Sequence, residues 1–275
     1  MTRHALAACI MMLASISAWA SGVTDLPPPE ETAKERLNAS PRHGEFVKVD
    51  VRGKPVRTWI VYPERKERSP VVVVIHEIFG LTDWIRAVAD QLAAEGFVAV
   101  APDLLSGKGP GGGGTEAFAS RDDAVRAVSE LPREEVNARL DAVRTWALAR
   151  PAAARTSATV GFCWGGSTSF AWAVAQPALD AAVVCYGTAP ADLATLAAVK
   201  APVLGLYGGK DARVDATLAA TTARMKELGK TYEPHVFEGA GHGFLRAQGG
   251  EDGANLKAAK EAWPLMIAFL RHHLR

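Results

Sequence analysis

Ala158-Thr159-Val160-Gly161-Phe162-Cys163-Trp164-Gly165-Gly166-Ser167 is the stretch on which the reading of the chain turns. Ala158 to Phe162 has the apolar character of a buried strand, and Gly166 to Ala175 continues as a helix. Between them stands Gly-x-Cys-x-Gly-Gly, the strand-to-helix turn that exposes a nucleophile, with Cys where Ser is more usual. A turn this sharp leaves no room for side chains two residues either side of the nucleophile, which accounts for Gly161 and Gly165. It also sets the thiol over the first turn of a helix, where free amides and partial positive charge favour thiolate. A buried structural cysteine in an ordinary turn would show the same local pattern, so the reading needs partners elsewhere.

Outward from this turn, strand and helix patterns alternate. Phe46–Val51, a turn at Arg52–Pro55 and Val56–Tyr62 read as a hairpin with one solvated side. Val71–Ile75 is wholly apolar, as in a parallel strand covered on both faces. Leu81–Glu95 is helical in period, Gly96 stops it, and Phe97–Ala101 is the next strand. Helices are expected at Glu116–Ser129, Arg133–Ala149, Asp215–Gly229 and Asn255–His272, and strands at Ala181–Tyr186, Val203–Tyr207 and Tyr232–Phe237. A hairpin followed by repeated strand-helix units predicts a mostly parallel central sheet with helices on both faces. Such sheets carry their active groups at the carboxyl ends of the strands.

Three further motifs fall at those ends. Leu204-Gly205-Leu206-Tyr207-Gly208-Gly209-Lys210-Asp211 closes a strand on an acid, and Glu238-Gly239-Ala240-Gly241-His242-Gly243-Phe244 puts a histidine in a glycine-rich loop. The order Cys163, Asp211, His242 is that of the α/β-hydrolase triad, which makes the α/β-hydrolase fold the expected class. In that arrangement His242 exchanges a proton with the thiol, and Asp211 fixes its tautomer. Alone, Asp211 would pass for a helix cap. His235 within a strand, His43 ahead of the core and His272-His273 beside Arg271 at the chain end lack the glycine setting of His242. Val74-Ile75-His76-Glu77-Ile78-Phe79-Gly80 follows the first buried strand, where the fold draws one oxyanion-binding amide. The backbone N–H groups of Ile78 and Trp164 are the candidates. Glu77 falls beside them, where a carboxylate is costly unless paired and is repelled by a thiolate, which points to function; a surface salt bridge is the alternative.

These segments, with Ala101-Pro102-Asp103-Leu104 and Gly241-His242-Gly243-Phe244-Leu245-Arg246, resemble the dienelactone hydrolase (carboxymethylenebutenolidase) family from about Phe46 to Leu274. The resemblance implies that Glu77 interacts with the nucleophile and helps produce its thiolate as substrate enters. It implies that Arg246 holds a substrate carboxylate, joined by a second arginine in the helix after Pro102-Asp103: Arg121 is best placed, and Arg126 stays open. Three departures stand out. The family tyrosine one turn after that arginine is replaced by Val125, His76 stands where a neutral amide is usual, and Cys185 adds a second thiol at a strand end.

Residues 1–20 read as an export signal: Arg3 and His4 precede an apolar run, and Ala18-Trp19-Ala20 suits a signal peptidase. Cleavage near Ala20 would leave a periplasmic or secreted protein, with a surface arm at 21–45 and one α/β-hydrolase domain at 46–275. Too few residues precede Cys9 for a lipid-attachment signal, and no later stretch is apolar enough to span a bilayer. Thirty-one Lys and Arg against thirty Asp and Glu provide no electrostatic case for nucleic acid. Cys163 and Cys185 are too few for a disulfide scaffold. Six glycines within Gly107–Thr115 mark a surface loop, without the GxxxxGK[ST] arrangement of a nucleotide site. His76, Glu77 and His242 lack zinc-ligand spacing. No cofactor or metal is expected, and the domain is expected to act as a monomer. The expected activity is cysteine-dependent hydrolysis of lactones or activated esters, carboxylate-bearing by the family resemblance, through a thioester. A general carboxylesterase or thioesterase for neutral acyl groups is one alternative. A non-catalytic protein is another, and it would need Cys163 remote from His242 or locked in a disulfide with Cys185.

Overall fold

Strands and helices alternate along residues 25–275, the part of the chain that the computed structural model describes; the export-signal reading lies outside them. In order, the elements are helix α1 (Ala33–Asn38), strands β1 (Gly44–Val51), β2 (Lys54–Val61) and β3 (Ser69–Ile75), helix α2 (Asp83–Ala94) and strand β4 (Val98–Pro102). Helices α3 (Arg121–Ser129) and α4 (Arg133–Leu148) follow, then β5 (Ala153–Phe162), α5 (Trp164–Ala175), β6 (Ala181–Cys185), β7 (Val203–Gly208), α6 (Ala212–Glu227), β8 (Tyr232–Phe237) and α7 (Ala254–His273). The strands form one sheet in the order β1-β2-β4-β3-β5-β6-β7-β8. The hairpin joins antiparallel through β2–β4, and every other pair is parallel. This is the α/β-hydrolase architecture expected from the motif order.

The sheet has two faces because side chains alternate along each strand. Val72 and Val74 pack with Trp84 and Ile85 of α2 and with Trp263 and Ile267 of α7. Val71, Val73 and Ile75 pack with Leu140 of α4, Phe170 of α5 and Met225 of α6. All of these are almost fully buried. Burying one such large apolar side chain contributes roughly 1.5–3 kcal/mol. With both faces covered, the carboxyl ends of the parallel strands are left to hold polar groups.

Two elements differ from the sequence reading, the second of them at the site. The hairpin turn is only Arg52–Gly53, because Lys54 and Pro55 already pair with Val51 and Asp50. Pro55 is tolerated there, since β4 pairs with β2 only from Thr58 onward. The helix expected from Glu116 begins instead at Arg121, where the Ser120 hydroxyl caps it by accepting from the Asp123 amide; residues 115–117 form a separate 3₁₀ turn. Arg121 is thereby placed in the first helical residue.

The glycine-rich loop is tied at its end. Thr115 donates its amide and hydroxyl to the buried Asp103 carboxylate at 2.8 and 2.7 Å, and its oxygen accepts from the Leu81 amide at 2.9 Å. The arm before β1 follows the surface but sinks Pro27, Pro28 and Ala33 into it. Its carbonyls accept from Trp84 Nε1 at Pro28 (3.0 Å) and from Gln248 Nε2 at Pro27 (2.8 Å). Among the described residues, no helix is long and apolar enough to cross a membrane.

Candidate active site

Cys163 sits at the corner between β5 and α5 with φ 55° and ψ −116°, a conformation that a non-glycine residue holds only when its surroundings impose it. The imposition is steric. A Cβ on Gly161 would lie 1.9 Å from the Gly165 carbonyl oxygen, and one on Gly165 would lie 2.3 Å from that of His76. The two glycines thus let β5, α5 and the end of β3 meet, which is the contact the Gly-x-Cys-x-Gly pattern predicts. The Cys163 amide donates to the Cys185 carbonyl at 3.0 Å, pinning the corner to β6.

The Ile78 and Trp164 amides, the two predicted oxyanion donors, face the Cys163 sulfur closely enough to favour its thiolate. The helix terminus does not leave the thiol acidic, however. Burial, then the Glu77 charge, raise its pKa, and these outweigh the two amides and the Arg213 charge that lower it. The sequence shows the helix terminus and the neighbouring Glu77 charge, but not the burial that raises the thiol most.

His242 and Asp211 meet as expected: Nδ1 lies 2.5 Å from Asp211 Oδ2. Asp211 also caps α6, its Oδ1 accepting from the Val214 amide at 3.4 Å, so one carboxylate serves both the helix end and the His242 ring. His242 Nδ1 therefore carries the hydrogen, leaving Nε2 as the acceptor. No hydrogen bond joins the Cys163 sulfur to His242 among the described residues; the resting thiol faces the amides. Cys163 and Cys185 are both free thiols, so the disulfide alternative is excluded in this structure. Cys185 is wholly buried, and burial pushes its thiol far up.

Glu77 is 2% exposed. Arg246 Nε lies 2.7 Å from its Oε2, an ion pair whose N–H is not aligned for a hydrogen bond. Burial pushes the Glu77 carboxyl up to about 7; Arg246 opposes the rise and Glu30 adds to it. His76 does not pair with that carboxylate. Its Nε2 accepts from the Leu104 amide at 3.3 Å and its Nδ1 donates to the Glu77 backbone carbonyl at 2.7 Å. Burial lowers its pKa, and the neutral ring stacks on Trp164, centroids 5.5 Å apart. It is a prop for the loop that carries Glu77 and Ile78.

Arg246 and Arg121 do converge, though each already holds a carboxylate. Arg246 Nη1 lies 2.6 Å from Glu30 Oε2, and Arg121 Nη2 lies 2.7 Å from Glu30 Oε1. Both guanidinium groups lie over the Phe79 ring, at 3.7 Å for Arg121 and 5.3 Å for Arg246. Arg126 points elsewhere, to Asp123 of its own helix. His43 is exposed beside Glu45, His235 lies on the edge strand β8, and His272 and His273 end α7, all outside this cluster.

Two residues of the cluster carry no signal in the sequence reading. Glu30 belongs to the Pro-rich arm, whose composition says only that it is polar. Tyr186 follows β6 with φ 42°, is wholly buried, and packs edge-on against His242 with centroids 5.2 Å apart. Its hydroxyl has no hydrogen-bond partner. Its position at a strand's carboxyl end, within Cys185-Tyr186-Gly187, was the available clue.

Comparison with known proteins follows the same lines. The model of the dienelactone hydrolase family matches residues 56–274. A Salmonella typhimurium protein, provisionally named a carboxymethylenebutenolidase, is 33% identical over 217 residues, 74% of this chain and 77% of its own. A similarly named protein of Methylorubrum extorquens is 34% identical over 230 residues, 75% of this chain and 76% of its own. The crystal structure of a protein from Klebsiella pneumoniae, provisionally titled a dienelactone hydrolase, superposes with a TM-score of 0.74 at 29% identity. That match covers 84% of this chain and 98% of the other.

Proposed function

The chain belongs to the dienelactone hydrolase family and is an ester hydrolase, and from that premise we propose that it cleaves lactones or activated esters through a thioester on Cys163. The supporting observation is the thiol on its strained corner facing the Ile78 and Trp164 amides, in a chain whose His242 is bonded to Asp211.

In the resting state the sulfur occupies the two donors that a carbonyl oxygen would need. A substrate carbonyl takes those amides, the thiol changes rotamer toward His242, and His242 Nε2 accepts its proton. The thiolate attacks the carbonyl carbon, forming the C–S bond while the π electrons become an oxyanion held by the Ile78 and Trp164 amides. The oxyanion collapses, the C–O bond breaks, and the leaving enolate or alkoxide takes the proton from His242. Water then gives a proton to His242 and adds its oxygen to the thioester carbonyl; the C–S bond breaks and the thiolate recovers its proton. A tetrahedral intermediate bearing sulfur tends to expel the thiolate before a poor alkoxide, so activated and enol esters are favoured.

Glu77, beside Arg246, helps set when the thiol ionises. Its negative charge opposes the thiolate, so drawing the carboxylate toward Arg246, or protonating it, makes ionisation easier. The Arg121–Arg246 pair can hold a carboxylate, a property that favours acidic substrates only if the seat is open.

The test is turnover of p-nitrophenyl acetate and of an enol lactone without a carboxylate by the reduced enzyme, with mass spectrometry of the quenched reaction. The expected result is an acyl adduct on the Cys163 peptide and loss of turnover in Cys163→Ala. Wild-type rates in Cys163→Ala, or an adduct on another residue, would overturn the assignment.

A further inference from the structure

The carboxylate between Arg121 and Arg246 comes from the chain itself, and from a part that the family model does not cover. Glu30 precedes residue 56, where the match begins. Its two oxygens are divided between the two guanidinium groups, at 2.7 and 2.6 Å. The residue is held there by more than charge, since the Glu30 amide donates to the Arg246 carbonyl at 3.1 Å. Pro27 and Pro28 are buried, and their carbonyls are bound by Gln248 and Trp84. Just beyond, Ala33 is wholly buried.

Both guanidinium groups are engaged: Glu30 spans Arg121 and Arg246, and the Glu77 carboxyl lies against Arg246, all at contacts of 2.6–2.7 Å. A substrate carboxylate entering this cluster would meet no unpaired guanidinium and would face Glu30. Displacing Glu30 would break two charge-assisted contacts, and those are the strong kind.

We propose that Glu30 is a specificity-determining residue: it fills the carboxylate seat formed by Arg121 and Arg246, and so selects substrates that are neutral at that position. This rests on the ester-hydrolase site assigned above and adds a substrate class to it. The discrimination has the form of a repulsive element built against one class of ligand. Loss of the Glu30 charge opens the pair to esters bearing a carboxylate.

The experiment compares wild type, Glu30→Gln, Glu30→Ala and Glu31→Gln on a matched pair of esters, p-nitrophenyl butyrate and mono-p-nitrophenyl succinate. Glu31 is the neighbouring exposed acid and touches neither arginine, so its variant removes the same charge from the arm without opening the seat. The readout is the ratio of kcat/KM for the anionic ester to that for the neutral one. Glu30→Gln and Glu30→Ala are expected to raise this ratio by about tenfold or more, the weight of one charge-assisted hydrogen bond. Glu31→Gln is expected to leave it near the wild-type value. An unchanged ratio in both Glu30 variants, or an equal rise in Glu31→Gln, would overturn the proposal. Calorimetric binding of glutarate separates this from the esterase assignment, since it needs no turnover. Glutarate is expected to bind Glu30→Gln at least about tenfold more tightly than wild type. Equal binding to both overturns the role of Glu30 even where Cys163 proves to be the nucleophile, and tighter binding sustains the seat even where it does not.

Discussion

Replacing Glu77 by glutamine should remove a pH dependence of stability that the wild type carries through the neutral range. Two effects compete at this carboxyl: burial disfavours its charge, and the Arg246 and Arg121 guanidinium groups favour it. Burial wins, helped by the Glu30 charge, and leaves Glu77 titrating at about 7 against an ordinary 4.5. The groups facing it are Arg246, Arg121 and Glu30, together with Cys163 and Tyr186, whose own pKa values Glu77 helps to raise. A carboxyl whose pKa is higher in the folded state binds its proton more tightly there than in the unfolded chain. Its contribution to stability is therefore fully present below about 4.5 and is lost as pH rises through about 7. The rise from 4.5 to about 7 corresponds to about 3 kcal/mol. The assay is urea unfolding of wild type and Glu77→Gln at intervals from about pH 4.5 to 8. Taking wild type minus variant cancels the titration of groups that Glu77 does not touch. That difference should fall by about 3 kcal/mol across the range. A difference that stays flat, or that grows with pH, would mean that the arginines outweigh burial and that Glu77 is an ordinary ionised partner of Arg246.

Three other substitutions probe the scaffold around the site. Gly161→Ala puts a methyl group 1.9 Å from the Gly165 carbonyl oxygen; it should cost at least about 3 kcal/mol in unfolding free energy, and a melting temperature equal to wild type would show that the corner is not sterically fixed. Asp211→Asn keeps a good cap for α6 while no longer fixing the His242 tautomer, so the melting temperature should move by only a few degrees while kcat falls by about 10³–10⁴; a fall in KM alone would contradict the triad geometry. Thr115→Val removes the hydroxyl that bridges Asp103 and the Leu81 amide. It should destabilise by about 1–3 kcal/mol and speed proteolysis within residues 107–114, whereas unchanged cleavage would show that the loop is held by other contacts.

Much of the fold and of the catalytic corner was legible in the sequence, because both rest on short-range constraints. Alternation and helical period record which face of an element is buried, so the strand order along the chain and the parallel sheet followed from local pattern. The close approach at Gly161 and Gly165 is a steric fact within a few residues of Cys163, and the turn could be recognised without its neighbours. The start of α3 was less legible, since Glu116 and Ala117 suit a helix as well as Arg121 does, and the Ser120 cap decides where it begins. The acidity of the thiol was not legible for a different reason: the helix terminus and the Glu77 loop can be placed from motifs, but the burial that raises the thiol most comes from packing. Likewise, His76 serves the Glu77 backbone instead of its carboxylate because β4 brings the Leu104 amide to the other ring nitrogen. The occupant of the arginine pair was beyond any local reading. Glu30 is 91 residues from Arg121 and 216 from Arg246, and nothing in a short acidic, proline-rich segment says where it will lie. The sequence by itself determined the tight strand-to-helix corner at Cys163, the order of the three candidate catalytic residues and the class of sheet, since sterics and periodicity act between near neighbours. Only the tertiary structure decided the charge balance around them, since electrostatics depends on distance in space and on burial, and both are set by which distant segments the fold packs together.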